Sequence, residues 1–305
     1  MPPTTLPAHP LAEPEKTFDW PLCYEAEELL GGYVDAFVRL NPFAGRLASR
    51  MQTETGTEFF EWVDHVVLGR EHAAALMRAG LVEEAVDAPA GTTVFWHPRA
   101  MMPRVLLRDE ASIAGETPAL LAIRPESVAD FIAAHDLDAR IEGMTGARLR
   151  RALISEYNDT TLIAVERLGH RGYVVREPTP EFQRGVLRAR ELWRTRKRDF
   201  PHDAEGVAHA FERLEEVLAV VDRDAACELF FAEERVFWEA RNRAAQIQKR
   251  RQDQLGLGWG NHDHHTFRSS REHFADLMEF FGKLGFHKRE RYYAGAEAGW
   301  GAQIS

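Results

Sequence analysis

The chain has 305 residues, 45% of them hydrophobic and 28% charged, with a formal net charge of −10. This describes an ordinary globular protein, with two domains or one elaborated domain and enough apolar material for a sizeable core. The acidic balance argues against bulk attraction to nucleic acid or to anionic membranes. No apolar run approaches the roughly 20 residues that a membrane helix needs, and Met1-Pro2-Pro3-Thr4-Thr5-Leu6-Pro7 is not laid out as a signal peptide. Cys23 and Cys227 lie far apart and suit free thiols in a reducing compartment. The expectation is a cytoplasmic protein with neither a nucleic-acid nor a membrane partner.

In chain order, residues 1–21 are proline-rich and read as an arm. Leu29, Leu30, Tyr33, Phe37 and Val38 recur at helical spacing between Tyr24 and Met51, with a break at Asn41-Pro42. The run Phe59 to Leu68 is rich in aromatic and β-branched residues and predicts a strand. A helix over 70–79 follows, stopped by Gly80, and then strand-like pieces at 81–86, 92–97, 104–107 and 120–123. Another helix opens at 125–128, and 160–166 and 172–176 read as two further strands. The basic run Arg194, Arg196, Lys197 and Arg198 reads as solvated helix surface within a helical stretch from Thr179 to about Leu255.

After the break at 255–260 comes Asn261-His262-Asp263-His264-His265-Thr266-Phe267-Arg268. As a strand it would send His264, Thr266 and Arg268 to one face and Asp263, His265 and Phe267 to the other. Successive same-face side chains then stand about 7 Å apart, a spacing that suits a metal ligand and, further along, an arginine that grips a carboxylate. The plainer alternative is a surface loop of solvated histidines. His265 reads as a packing residue and His262 as a loop residue, while Arg268 could instead pair with Glu272. A helix over 270–284 leads to strands at 286–293 and from Trp300, and Trp300 and Tyr292 are pocket or core aromatics. The fold class expected is α+β. An arm and helix (1–56) precede a first βαβββ-like module with additions (57–178), a helical block (179–258) and a second, incomplete module (259–305).

Both modules open with Asp-His, in Val63-Asp64-His65-Val66-Val67-Leu68 and in Asp263-His264-His265-Thr266-Phe267-Arg268, and Leu284-Gly285-Phe286 sits at a helix-to-strand turn. These motifs resemble the vicinal oxygen chelate superfamily, whose paired βαβββ modules surround a divalent metal. More narrowly, His-x-Thr-x-Arg (264–268) looks like the second-module strand of the 2-oxoadipate dioxygenase/decarboxylase (hydroxyglutarate synthase) family. The resemblance covers about 59–125 and 259–305, and it leaves the helical block unmatched.

The resemblance implies His65 and His264 as metal ligands, with Arg268, beside Thr266, holding a substrate carboxylate. It implies Fe2+, or another divalent metal such as Mn2+ or Zn2+, in a dioxygenase/decarboxylase acting on a small 2-oxo acid or related carboxylated substrate. The family's glutamate ligand lies on the last strand of the second module, whereas Ser305 falls in that module's third strand. The third ligand is then Glu166, Glu177 or His97, a residue beyond Ser305, or one supplied by a homodimer partner that completes the module. Two histidines and a carboxylate on one face of a metal leave open positions for a chelating 2-oxo acid and for dioxygen. Alternatives are a metal-dependent isomerase, lyase or hydrolase, and a non-catalytic binding or assembly protein on a degenerate scaffold of this type.

Overall fold

Asn41-Pro42 divides the first helical stretch of the computed structural model in two, α1 (Tyr24–Leu40) and α2 (Pro42–Arg50). Pro42 opens α2, where a missing N–H costs nothing. The Asn41 side-chain oxygen caps α2 by accepting from Phe43 N and Ala44 N, both at 3.1 Å. Its amide donates to Thr160 Oγ1 at 3.3 Å, so a fully buried Asn is nonetheless bonded. Asn41→Ala is expected to lower stability by about 1–2 kcal/mol, the loss of a cap. Urea unfolding checks this, and an unchanged midpoint would contradict it.

The structure describes residues 22–109, 117–261, 265–289, 291–293 and 301–304. They fall in two compact units, Cys23–His287 and a second made of Met1–Leu22 with Lys288–Ser305. In the second unit the described elements are two short antiparallel strands within 291–303. The expectations placed on residues 1–21, His262, His264 and Trp300 lie outside the described residues, as does that on the Tyr292 side chain.

The larger unit is built on a mixed sheet. β1 (Val63–Gly69), α3 (Ala73–Arg78), β2 (Val82–Glu83), β3 (Thr93–Trp96) and β4 (Arg104–Arg108) form one strand-helix-strand-strand-strand repeat. β5 (Leu120–Ile123), α4 (Val128–Ala134), β6 (Ile141–Glu142), β7 (Leu149–Tyr157) and β8 (Thr160–Arg167) form a second. The strand order is β2-β3-β4-β1-β5-β8-β7-β6. In each repeat the first and last strands pair in parallel, β1 with β4 and β5 with β8, while β1 and β5 join the repeats antiparallel. A parallel pair needs a long crossover, which the intervening helix and hairpin provide.

This places the second repeat at 120–167, inside the stretch expected to hold the first module and its additions (57–178). Its opening strand, Leu120-Leu121-Ala122-Ile123, carries no Asp-His and is buried on both faces, so it offers no motif. β7 is also unexpected. Its Arg150, Arg151, Ser155 and Glu156 hide the alternation, and its register shifts between Leu153 and Ser155. The aromatic run Phe59–Trp62 is a 3₁₀ turn rather than the start of the strand. A Glu58–Glu61 capping box holds it, and the buried Trp62 indole donates to Thr57 Oγ1 at 3.2 Å. The residues 172–176 are irregular instead of a strand.

One face of the sheet packs against α1, α2 and α4 through Tyr33, Phe37, Leu47, Val66, Leu68 and Phe131. The helical block follows as α5 (Pro180–Arg194), α6 (Asp203–Leu218), α7 (Arg223–Glu239) and α8 (Arg243–Asp253), and α9 (Phe274–Lys283) packs with it. Trp193, Phe230, Phe280 and Phe281 meet there as the helical spacing dictates. Of the basic run expected as solvated surface, Arg194 and Lys197 are exposed, whereas Arg196 and Arg198 are largely covered. Arg196 and Arg198 bond to the buried Glu234, and Arg194 to the buried Glu233.

Between α8 and α9, residues 265–270 are irregular and no strand forms among the described residues there. Phe267 packs inward against Phe230 and Phe281, while His265, Thr266 and Arg268 are all exposed, so the strand alternation expected there is not seen. β9 (Arg291–Tyr293) and β10 (Gly301–Gln303) pair antiparallel in the smaller unit. Among the described residues, no helix is long and apolar enough to cross a membrane.

Candidate active site around His65

The site begins with a break in strand alternation. Val63 and Val66 both belong to the core under the helices, so the two residues between them must share the opposite face. The β1–β5 register accordingly shifts between Val63 and His65, a bulge that sets Asp64 and His65 side by side. Val67, one further step of two along β1, packs with Tyr173 on that face.

Asp64 Oδ1 lies 2.6 Å from His65 Nδ1. Arg167, the last residue of β8, forks onto the same carboxylate, Nε to Oδ2 at 2.7 Å and Nη2 to Oδ1 at 2.8 Å. Its Nη1 donates to the carbonyls of His170 (3.1 Å) and Gly172 (2.7 Å) in the segment that follows. The Tyr173 ring then stands edge-on to the imidazole, 4.9 Å between centroids, with the Arg167 guanidinium 5.0 Å from the same ring. Arg104 is the parallel-strand partner of His65 in register and is bonded by Nε to Glu84 at 2.6 Å. The side chains of His65, Asp64 and Arg167 are 7%, 9% and 6% exposed, so the cluster is a nearly dry ionic centre.

Electrostatics follow from that dryness. Burial pushes the Asp64 carboxyl up, but the Arg167 charge and the hydrogen bonds from His65 and Arg167 outweigh it and hold it well below the usual carboxylate range. Burial pushes His65 down, and Asp64 only partly offsets this. The imidazole is therefore neutral at neutral pH. A carboxylate can only accept, so the ring hydrogen sits on Nδ1 and the Nε2 lone pair remains. A neutral histidine backed by a carboxylate is the arrangement that orients a metal ligand or a general base. Burial also raises the Tyr173 hydroxyl, with Asp64 adding to the effect, so the phenol stays protonated.

His97, His135 and His170 are likewise lowered, each chiefly by burial. Below an unfolded value of about 6.5 the unfolded chain takes up protons that these folded imidazoles refuse. Their contribution is therefore complete above that pH and is lost as pH falls towards the folded values. The partly buried His273, raised by its hydrogen bond to Asp276, works the other way. The urea midpoint is expected to be lower at pH 5.5 than at pH 7.5, and an equal or higher midpoint at pH 5.5 would count against buried neutral imidazoles.

The remaining described sequence candidates do not gather here. His264 lies outside the described residues. Thr266 and Arg268 are exposed in the irregular stretch, and the His265 ring packs 4.7 Å from that of Phe231. Glu166 is next to Arg167 in β8 but is committed elsewhere, to Arg150 Nη1 and to Val128 N at the start of α4, each at 3.0 Å. His97 is buried at the end of β3, its Nδ1 accepting from Arg99 N at 3.2 Å, and Glu177 is exposed. Among the described residues, no three His, Cys, Asp or Glu side chains are grouped to hold a metal. Those residues therefore supply one oriented histidine and do not by themselves fit an iron ion.

Arg167 and Tyr173 had no sequence signal of their own. A surface cleft of about 330 Å³ lies by the segment that carries them, lined by Asp87, Arg148, His170, Arg171, Asp222 and Asp224. Its charges are largely spent on one another, Arg148 on Asp222 and the nearby Arg176 on Asp87.

No family model matches the chain, and no curated protein does. A solved structure of a Shewanella frigidimarina NCIMB 400 protein proposed to be a hydrolase aligns at a TM-score of 0.36 with 10% identity, over 50% of this chain and 96% of that one. A likeness this slight carries no argument about either fold or chemistry.

Proposed function

We propose that the chain is a mononuclear divalent-metal enzyme on a vicinal oxygen chelate scaffold, with His65 as a ligand and a small carboxylated substrate, and that its activity is that of an iron(II)-dependent dioxygenase/decarboxylase of 2-oxo acids. The observation that carries this reading is the Asp64–His65 pair at the β1 bulge, a buried neutral imidazole with Nδ1 committed to a carboxylate and the lone pair on Nε2. Two βαβββ repeats joined edge to edge through their first strands, at 63–108 and 120–167, also suit a scaffold of paired βαβββ modules, although the second repeat is not the stretch that carries His264. Bound iron(II) would supply the electrons that dioxygen needs. His65 would hold one coordination position, and Asp64 would fix its ring. His264 is the proposed second ligand, with Arg268 and Thr266 proposed to grip the far carboxylate. Because the described residues lack a full ligand set, no reaction step is derived through the metal.

Metal analysis of the purified protein, wild type against His65→Ala, tests the reading. About one divalent ion per chain is expected in the wild type and near none in the variant, with oxygen uptake on addition of 2-oxo acids. A wild type without iron, manganese or zinc that also fails to bind them contradicts it.

One observation favours a second reading. Tyr173 stands against the His65 ring, and the segment around it is bonded down through Tyr173 N to Asp87 O at 2.7 Å. On that reading the ionic cluster is structural and the chain is a binding or assembly protein. A melting temperature indifferent to chelators and to added metal is its expected signature.

A further inference from the structure

We infer that Arg167 is a positioning residue for His65, acting through Asp64 to hold the imidazole in its Nδ1–H tautomer with the Nε2 lone pair presented. The inference deepens the proposed reading of His65 as a ligand and rests on it for its purpose, though not for its geometry.

A guanidinium has five N–H donors in a fixed planar fork. Arg167 uses two on the Asp64 carboxylate, one on each oxygen, and turns Nη1 to the His170 and Gly172 carbonyls. It cannot swing away from Asp64 without also abandoning those two carbonyls. The segment that supplies them is itself fixed, because Gly169 (φ +50) runs so close to the backbone of Asp224 and Ala225 that a Cβ there would meet Asp224 O at 2.3 Å. The carboxylate is thus held in one orientation. Oδ1, the oxygen that receives Arg167 Nη2, is also the one that faces His65 Nδ1.

The three side chains come from two strands that are 103 residues apart and not adjacent in the sheet. An ion pair needed only for packing does not require an imidazole on the same oxygen. Here the histidine is locked between that oxygen and the Tyr173 ring. Remove the fork and Asp64 can rotate off Nδ1. The ring then relaxes towards the Nε2–H form that free imidazoles prefer, and the lone pair turns from Nε2 to Nδ1.

Long-range ¹H–¹⁵N correlation spectra of the labelled protein read the tautomer directly, with His65→Gln assigning the signal. The wild type is expected to show His65 as Nδ1–H. Arg167→Met is expected to move it to a mixture in which Nε2–H is substantial, and to weaken zinc binding, measured by calorimetry, by about 10–100-fold. Arg167→Lys keeps the charge without the fork and should restore the tautomer only in part. A wild-type ring in the Nε2–H form overturns the inference, whether or not any variant folds. So does an Arg167→Met protein with unchanged tautomer and zinc affinity. If the tautomer responds to Arg167 while the wild type binds no zinc, the positioning role stands and the metal reading falls.

Discussion

Asp64→Ala is expected to lower the unfolding free energy by about 3–5 kcal/mol, the typical cost of removing one partner from a buried ion pair. The reason is what the substitution leaves behind. Arg167 keeps its charge in a site where its side chain is 6% exposed, and it loses two of its hydrogen bonds. The His65 Nδ1 hydrogen loses its acceptor as well. Removing both members of the pair is gentler, since no charge is then stranded. An Asp64→Ala/Arg167→Met protein should therefore lose clearly less than the sum of the two single changes. Equilibrium unfolding in urea measures all three. A single-variant loss below 1 kcal/mol, or strict additivity, would mean that water reaches the cluster and that the dry ionic centre described above is wrong.

Gly260→Ala is the second large effect. Gly260 passes so close to the entrance of α4 that an added Cβ would meet Arg124 O at 2.2 Å, Pro125 C at 2.6 Å and Glu126 N at 2.7 Å. All three are backbone atoms and cannot rotate aside. Inserting one methyl group into a packed site typically costs 1–3 kcal/mol, and rigid neighbours place this case at about 3 kcal/mol. The chain would have to lift away from α4, taking with it the Glu126–Trp259 N hydrogen bond (3.0 Å) and the point from which Asn261 departs. Thermal and urea unfolding check the stability. A Gly260→Ala protein as stable as the wild type would show that the loop has slack that the close approach does not allow.

The helical parts of the fold were legible because their signal is local. Asn41-Pro42 announces the break between α1 and α2, and the apolar stripes through Trp193, Leu214 and Phe230 follow the helical period. Strand pairing is not local, and composition and period do not reveal it. The second repeat begins at Leu120, a wholly apolar strand whose identity lies in its partners, β1 on one side and β8 on the other. The Asp-His at 263–264 drew attention to a stretch whose described part, 265–268, joins no sheet.

Asp64-His65 stands out in the sequence as a motif, and the bulge that carries it is written there too. Two consecutive polar residues between Val63 and Val66 break period-two alternation, as an extra residue in a strand must. Arg167 could not be foreseen, because a single arginine at a strand end looks like any other until the fold brings Asp64 to it.

The central claim is that His65 is one of the ligands of a single divalent ion, and calorimetric titration of zinc into metal-stripped protein tests it most directly. The account predicts one site per chain in the wild type and at least a hundredfold weaker binding in both His65→Ala and His264→Ala, with each variant still folded by circular dichroism. Zinc binding by folded His65→Ala as tight as by the wild type would contradict it.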